Sequence, residues 1–298
     1  MRKCLISFML AMALFWQPVF ASHIPAGKNI KIAVIDTGIS SGAISAEQLG
    51  KGYNYILKND DTEDKSGHGT AVAGLIAGSA PAGITGIAPG AELIPLVFQT
   101  KDVRDNLQKG NQELVARAIR DAVDVYGCRV INLSIGTASE NKLIEKAVEY
   151  AESKNVVVVA SAGNINPDNT ECVCYPAAYP TVIGVGSVNK KGRISRFSQR
   201  NESVKLVAQG EKIWTVSKKG KPLVANGTSF AAASVSGAAA ALLSACPQLT
   251  AAEVRKFLCG SATDIYETGY DTGSGFGILN LEKALKLSAE SHPPQKGL

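Results

Sequence analysis

Ile30-Lys31-Ile32-Ala33-Val34-Ile35 runs directly into Asp36-Thr37-Gly38. A mostly apolar, β-branched run without polar alternation fits a strand buried on both faces, closed here by a turn that carries an acid. Similar runs recur at residues 92–98, 129–135, 156–160 and 182–188. Helical spacing fills the intervals: residues 111–126 place Leu114, Ala118, Ile119 and Ala122 on one face, and residues 141–151 do the same with Ile144, Ala147, Val148 and Ala151. Strands alternating with helices of this length imply right-handed crossovers. The expected fold class is α/β, a doubly wound, mostly parallel β-sheet with helices on both faces.

Residues 203–217 read as shorter strands joined by Gln209-Gly210-Glu211, and Lys218-Lys219-Gly220-Lys221 reads as a solvated hairpin turn. The next helix starts near Ser229 and is rich in Ala and Gly, a composition that lets it pass close to the sheet through the middle of the domain. Cys246-Pro247 ends it, Thr250 is placed to cap the following helix, and residues 279–287 form a last one.

At the other end, Met1-Arg2-Lys3 followed by an apolar run and Val19-Phe20-Ala21 has the layout of a secretory signal peptide cleaved after Ala21. The expected organisation is therefore a signal at 1–21, one large domain at 22–290 and a frayed tail at 291–298. No stable membrane span is expected after signal removal. A chain that is 45% apolar has ample material for one core, and no linker divides it. Loss of Arg2 and Lys3 lowers the formal charge from +5 to +3, a scattered excess that does not point to nucleic acid.

Five cysteines remain after the signal: Cys128, Cys172, Cys174, Cys246 and Cys259. The C-x-C spacing of Cys172 and Cys174, without a nearby His, does not make a zinc site, and no metal is expected. A helix-turn-helix between Cys246 and Cys259 leads us to expect a disulfide there in an oxidising compartment.

Three segments carry reactive side chains where a strand or loop meets a helix: Ile35-Asp36-Thr37-Gly38, Gly67-His68-Gly69-Thr70 and Gly227-Thr228-Ser229-Phe230-Ala231. In that order and with those neighbours they resemble the subtilisin-like serine peptidases (subtilases), whose chain order of Asp, His and Ser is a known variant of the catalytic triad. Val159-Ala160-Ser161-Ala162-Gly163-Asn164 resembles the family's strand ending in a Gly-Asn pair, and Ser134-Ile135-Gly136 its substrate-binding strand.

The resemblance implies a secreted serine endopeptidase that acts on protein or peptide substrates without a cofactor. Asp36, His68 and Ser229 are the implied triad, with Asn164 as an oxyanion donor. Ser134, Ile135, Gly136, Ala160, Ser161, Ala162, Gly163 and Cys174 are the implied substrate-binding residues. Cys174 stands where relatives often carry Gly at the floor of the pocket for the residue before the scissile bond (P1). A thiol there implies a shallower apolar pocket, with Asp168 and Glu171 the acids in the same loop.

Two departures follow, with one acidic cluster beside them. Ser79-Ala80-Pro81-Ala82-Gly83-Ile84-Thr85 lacks the side-chain oxygens of the family's calcium loop. Asp60, Asp61, Glu63 and Asp64 read as a solvated acidic loop. Only a few residues separate Ala21 from the first strand, which implies unaided folding or a separately encoded inhibitor or folding helper as partner. The alternative functions are a maturation protease or transpeptidase, and a catalytically silent binding protein on the same fold.

Overall fold

The computed structural model describes residues 27–99, 111–164 and 172–292. The expected signal peptide, the last six residues, and Asp168 and Glu171 lie outside these. β1 (Lys31–Asp36) and the short β2 (Tyr53–Asn54) precede α1 (His68–Ala77), a small hairpin of β3 (Gly78–Ser79) and β4 (Ile84–Thr85), and β5 (Glu92–Val97). α2 (Asn111–Asp124), β6 (Val130–Leu133), α3 (Lys142–Ser153), β7 (Val157–Ser161), β8 (Ile183–Val188) and β9 (Leu206–Gln209) follow. A hairpin of β10 (Ile213–Val216) and β11 (Pro222–Ala225) leads into α4 (Thr228–Ala245), and α5 (Ala251–Gly260) and α6 (Leu281–Ser291) complete the described chain.

Seven strands form one parallel sheet in the order β2-β5-β1-β6-β7-β8-β9. The strands are apolar throughout because both faces are covered. On β1, Ala33 and Ile35 pack with Ile119 of α2 and Ile144 of α3, whereas Ile32 and Val34 join the core built on α1 and α4. The doubly wound α/β expectation holds.

Strand order reverses beside β1, since the chain goes first to β5 on one side and then to β6 on the other. Open α/β sheets bind ligands outside the carboxyl ends of the strands at such a switch point. β1 ends at Asp36 there, and β6 and β7 end beside Ser134 and Ser161.

α4 is buried along most of its length and packs across β6, β7, β8 and β9 and against α1. It is the one helix among the described residues long and apolar enough to cross a membrane, yet it forms the centre of this fold. Asn141 caps α3 by accepting from the Leu143 and Ile144 N–H groups, and Thr250 and Glu253 form a reciprocal capping box on α5.

Several boundaries differ from the sequence reading. β6 stops at Leu133, so Ser134, Ile135 and Gly136 lie beyond the strand although Ser134 and Ile135 stay buried. α6 starts later and runs further than residues 279–287, because Asn280 accepts from the Lys283 N–H and fixes the start; Ser291, expected in the tail, is helical. β11 was not anticipated: the basic run forms the turn of a hairpin whose second strand begins at Pro222, on an isolated ribbon where a missing N–H is tolerated. The expected Cys246–Cys259 disulfide is absent. Both are free thiols, and Cys246 turns its Sγ toward Ser288 of α6 at 3.9 Å instead.

Candidate active site

Asp36 is the last residue of β1 and His68 the first of α1, and the start of α1 packs against the turn after β1, which brings the two side chains together. Nδ1 of His68 donates to both carboxylate oxygens of Asp36, at 2.8 and 2.9 Å. Asp36 is 1% exposed and also accepts from the Thr37 N–H at 2.7 Å. An acceptor held on Nδ1 fixes the ring orientation and leaves Nε2 as the basic nitrogen. α1 approaches this turn closely: a Cβ on Gly69 would come within 2.2 Å of the Gly38 carbonyl oxygen.

The expected solvated acidic loop is corrected at its last residue. Asp64 is 3% exposed and accepts five hydrogen bonds. Its Oδ1 takes the Thr37 hydroxyl and the Ser66 and Gly67 N–H groups, and its Oδ2 takes the Thr70 N–H and hydroxyl. Thr37 Oγ1 in turn accepts from the Gly69 N–H, and Thr70 Oγ1 from the Ser40 N–H. One buried carboxylate thereby joins the turn after β1 to the first turn of α1, holding Asp36 and His68 at their separation. An acid three residues before a Gly at a helix start can collect the loose N–H groups there.

Ser229 lies in the first turn of α4, where backbone N–H groups have no intrahelical acceptor. Its hydroxyl donates to the Ser134 carbonyl at 3.3 Å, and the Ser134 hydroxyl donates to the Ser229 carbonyl at 3.0 Å. Ser134 Oγ accepts from Asn132 Nδ2, and Asn132 Oδ1 accepts from Ser236, about two turns further along α4. This buried ladder fixes the start of α4, with Ser229, to the end of β6, and sequence reading did not single out Asn132 or Ser236. Phe230 stacks obliquely near the imidazole, with ring centroids of His68 and Phe230 5.9 Å apart.

Asn164 follows β7 and is exposed. Its Oδ1 accepts from both the N–H and the hydroxyl of Thr228, at 2.8 and 2.9 Å. That pair of hydrogen bonds to its amide oxygen turns Nδ2 toward Gly227, 3.2 Å from where a Gly227 Cβ would sit.

The segments after β6 and β7 run side by side, two walls that meet at Cys174. Ser161 Oγ donates to the Ile135 carbonyl at 3.3 Å, while Thr137 and Tyr175 exchange backbone hydrogen bonds at 2.8 and 2.9 Å and so hold Cys174 at its end. Cys174 is 4% exposed, and its Sγ would lie 2.6 Å from a Cβ on Gly163 and 3.9 Å from one on Gly136. Gly163 also adopts φ +107°, so its lack of a side chain is required twice. Ala160 and Ala162 are wholly buried beneath this wall. All the sequence-predicted residues therefore gather at the carboxyl end of the sheet.

Comparison with known proteins agrees with this geometry. The model of the subtilase family matches residues 27–277. Subtilisin DY of Bacillus licheniformis is 32% identical over 260 residues, 87% of this chain and 91% of that protein. The chain belongs to the subtilase family. Like the subtilases it matches, it is a serine-type endopeptidase. Among solved structures, MycP1 from Mycobacterium smegmatis superposes with a TM-score of 0.77 at 27% identity, covering 88% of this subtilase and 80% of that chain. A lanthipeptide protease gives a TM-score of 0.75 at 28% identity, with 88% and 89% covered.

Proposed function

We propose that this subtilase is an exported endopeptidase in which Ser229 attacks the peptide carbonyl, His68 accepts its proton through Nε2, and Asp36 holds the imidazole and stabilises the imidazolium. The hydroxyl proton of Ser229 turns from the Ser134 carbonyl toward the imidazole before transfer. As the tetrahedral oxygen gains charge, the Ser229 N–H at the start of α4 and Nδ2 of Asn164 donate to it. His68 then protonates the departing amine, and water, activated by the same ring, releases the acyl group. The observation that carries this reading is the paired contact of His68 with both oxygens of buried Asp36 beside the helix start that presents Ser229.

Substrate adds as an extended strand beside Ser134, Ile135 and Gly136, read mainly through its backbone, which favours broad specificity. The P1 side chain enters the slot floored by Cys174, so medium apolar residues are preferred. The basic, apolar N-terminus supports export, and sequencing of the mature protein should begin at Ser22. The direct test is labelling with a fluorophosphonate probe followed by peptide mapping. Modification at Ser229, lost in Ser229→Ala and suppressed in His68→Ala, supports the triad; labelling elsewhere, or none, overturns it and favours a silent binding protein. The likeness to a protein described as a lanthipeptide protease keeps peptide maturation as a second reading. A single cleavage in a long peptide panel, instead of many, would favour it.

A further inference from the structure

β10 and β11 pair only with each other and stand apart from the seven-stranded sheet. Their inner face is fastened to α1: the Thr215 hydroxyl donates to the Ala71 carbonyl at 2.5 Å, and Val216 is buried against Gly74. The outer face has no such cover. Trp214 and Val224 stand directly opposite each other in the antiparallel register and so share that face. They are 65% and 46% exposed, and Leu223 is 38% exposed beside them. Contiguous apolar side chains left to water in this way mark an interaction surface. Positive charge flanks the patch. Residues 211–226 hold four lysines, Lys212, Lys218, Lys219 and Lys221, against one acid, Glu211. Lys218 donates to the Lys65 carbonyl and lays its stem against Gly67, just before His68, whereas Lys212, Lys219 and Lys221 are exposed. In the loop that Lys218 touches, Asp61 pairs with Lys65 at 3.8 Å, Glu63 accepts from the Ser41 N–H and hydroxyl, and Asp60 is exposed.

We propose that this ribbon docks the mature enzyme on an anionic phospholipid surface. Trp214, Val224 and Leu223 enter the interfacial layer, and Lys212, Lys219 and Lys221 meet the phosphate headgroups. A tryptophan suits that depth because its ring is apolar and its indole N–H still finds water or a phosphate oxygen. Lysines at both ends of the ribbon supply the complementary charge, each a flexible point charge that needs no shaped partner. Neither attraction holds a protein alone, and together they give reversible attachment. The ribbon is fastened to α1, and Lys218 packs against Gly67, so docking keeps His68 and the cleft beside the surface and raises the effective concentration of membrane-associated substrates. The occupant rests on the export reading above, which brings the mature chain past an anionic membrane.

The sequence has two tryptophans, and Trp16 lies in the expected signal, so Trp214 is the sole tryptophan of the mature protein and reports its own surroundings. The test mixes the mature protein, in the Ser229→Ala background, with vesicles of phosphatidylcholine alone or of equal parts phosphatidylglycerol and phosphatidylcholine. On the anionic vesicles the Trp214 emission should shift to the blue and be quenched by lipids brominated in the acyl chain. In co-sedimentation the partition coefficient should fall about tenfold or more in Trp214→Ala, in the triple variant Lys212→Gln, Lys219→Gln, Lys221→Gln, and on raising the salt. With Ser229 restored, both variants should keep the parent's kcat/KM toward a short soluble peptide. An unshifted emission, equal binding to the two kinds of vesicle, or undiminished binding in Trp214→Ala overturns the proposal. Self-association that Trp214→Ala abolishes, without vesicle binding, also overturns it and assigns the face to a second copy of the chain. N-terminal sequencing reads export separately: an uncleaved leader faults that reading, whereas absent vesicle binding by a correctly cleaved protein faults the docking alone.

Discussion

Thr228 donates its backbone N–H and its hydroxyl to the same oxygen of Asn164, so the residue before Ser229 orients the Asn164 amide, the proposed oxyanion donor. Asn164→Ala should lower kcat by roughly 10²–10³ with little change in KM, a size known from a member of this same family. Thr228→Val keeps the N–H and removes the hydroxyl, and should cost about tenfold in kcat, near 1.4 kcal/mol. If Thr228 acts through Asn164, the double variant should be no slower than Asn164→Ala alone. Steady-state kinetics on one peptide substrate check this, and independent, multiplying losses would refute the coupling.

Asp64 faces five donors and no acceptor, so no neutral isostere satisfies the site. Asp64→Asn must point its amide N–H groups at other donors on one side, and Asp64→Ala leaves all five unpaired. We expect each variant to lose about 3 kcal/mol or more of stability and most of its activity, because the turn and the helix start that carry Asp36 and His68 lose their common anchor. Chemical denaturation in the Ser229→Ala background, which removes self-digestion, measures the first effect. Near-parental stability would contradict the anchoring role.

The two-faced strands were legible because a parallel sheet covered on both sides leaves no polar alternation, and Asp36, His68 and Ser229 were legible because each sits in a short motif at a strand or helix end. Asp64 was not. Locally it belongs to a run of acids, and only the packing of α1 against the turn after β1 decides that this one is buried while Asp60 and Asp61 stay outside. The end of β6 was hidden for a similar reason: Ile135 is as buried as a strand residue, but its backbone serves the slot instead of the sheet. β11 was obscured by a Pro that usually argues against a strand.

Glu253 gives a pH signature in α5. Its carboxylate accepts from the Thr250 N–H at 2.9 Å and the Thr250 hydroxyl at 2.7 Å, and these bonds, the backbone one first, hold its pKa below the ordinary value of 4.5. A carboxylate depressed on folding adds stability that is fully present above its unfolded pKa and is lost as pH falls through the folded value. Glu253→Gln, again with Ser229→Ala, should therefore unfold at a lower temperature than its parent at pH 7, and the gap should narrow below about pH 4.5 and close in stronger acid. Thr250→Ala should cost about 1 kcal/mol by removing the cap itself. A gap between Glu253→Gln and its parent that is constant from pH 7 to pH 3 would show that the charge contributes nothing.

The slot makes the last prediction, on P1 preference. Its floor is the Cys174 side chain, its walls are the segments around Gly136 and Gly163, and the thiol occupies volume that a hydrogen would leave open. With dithiothreitol present to hold the thiols reduced, the parent enzyme should prefer Leu, Met or Ala at P1 over Trp, and over Lys and Arg. Among the described residues named for this slot, none carries a carboxylate that could pair with a cation. Cys174→Gly deepens the slot by the length of the thiol side chain, so kcat/KM should rise for Phe and Trp relative to Leu, most of the gain appearing where a ring now reaches the floor. A peptide series varied only at P1 decides between a floor that limits depth and one that does not. An unchanged order in Cys174→Gly would remove Cys174 from the slot. A tenfold preference for Arg in the parent, about 1.4 kcal/mol in transition-state binding, would mean that an acid reaches the pocket and that its character is electrostatic.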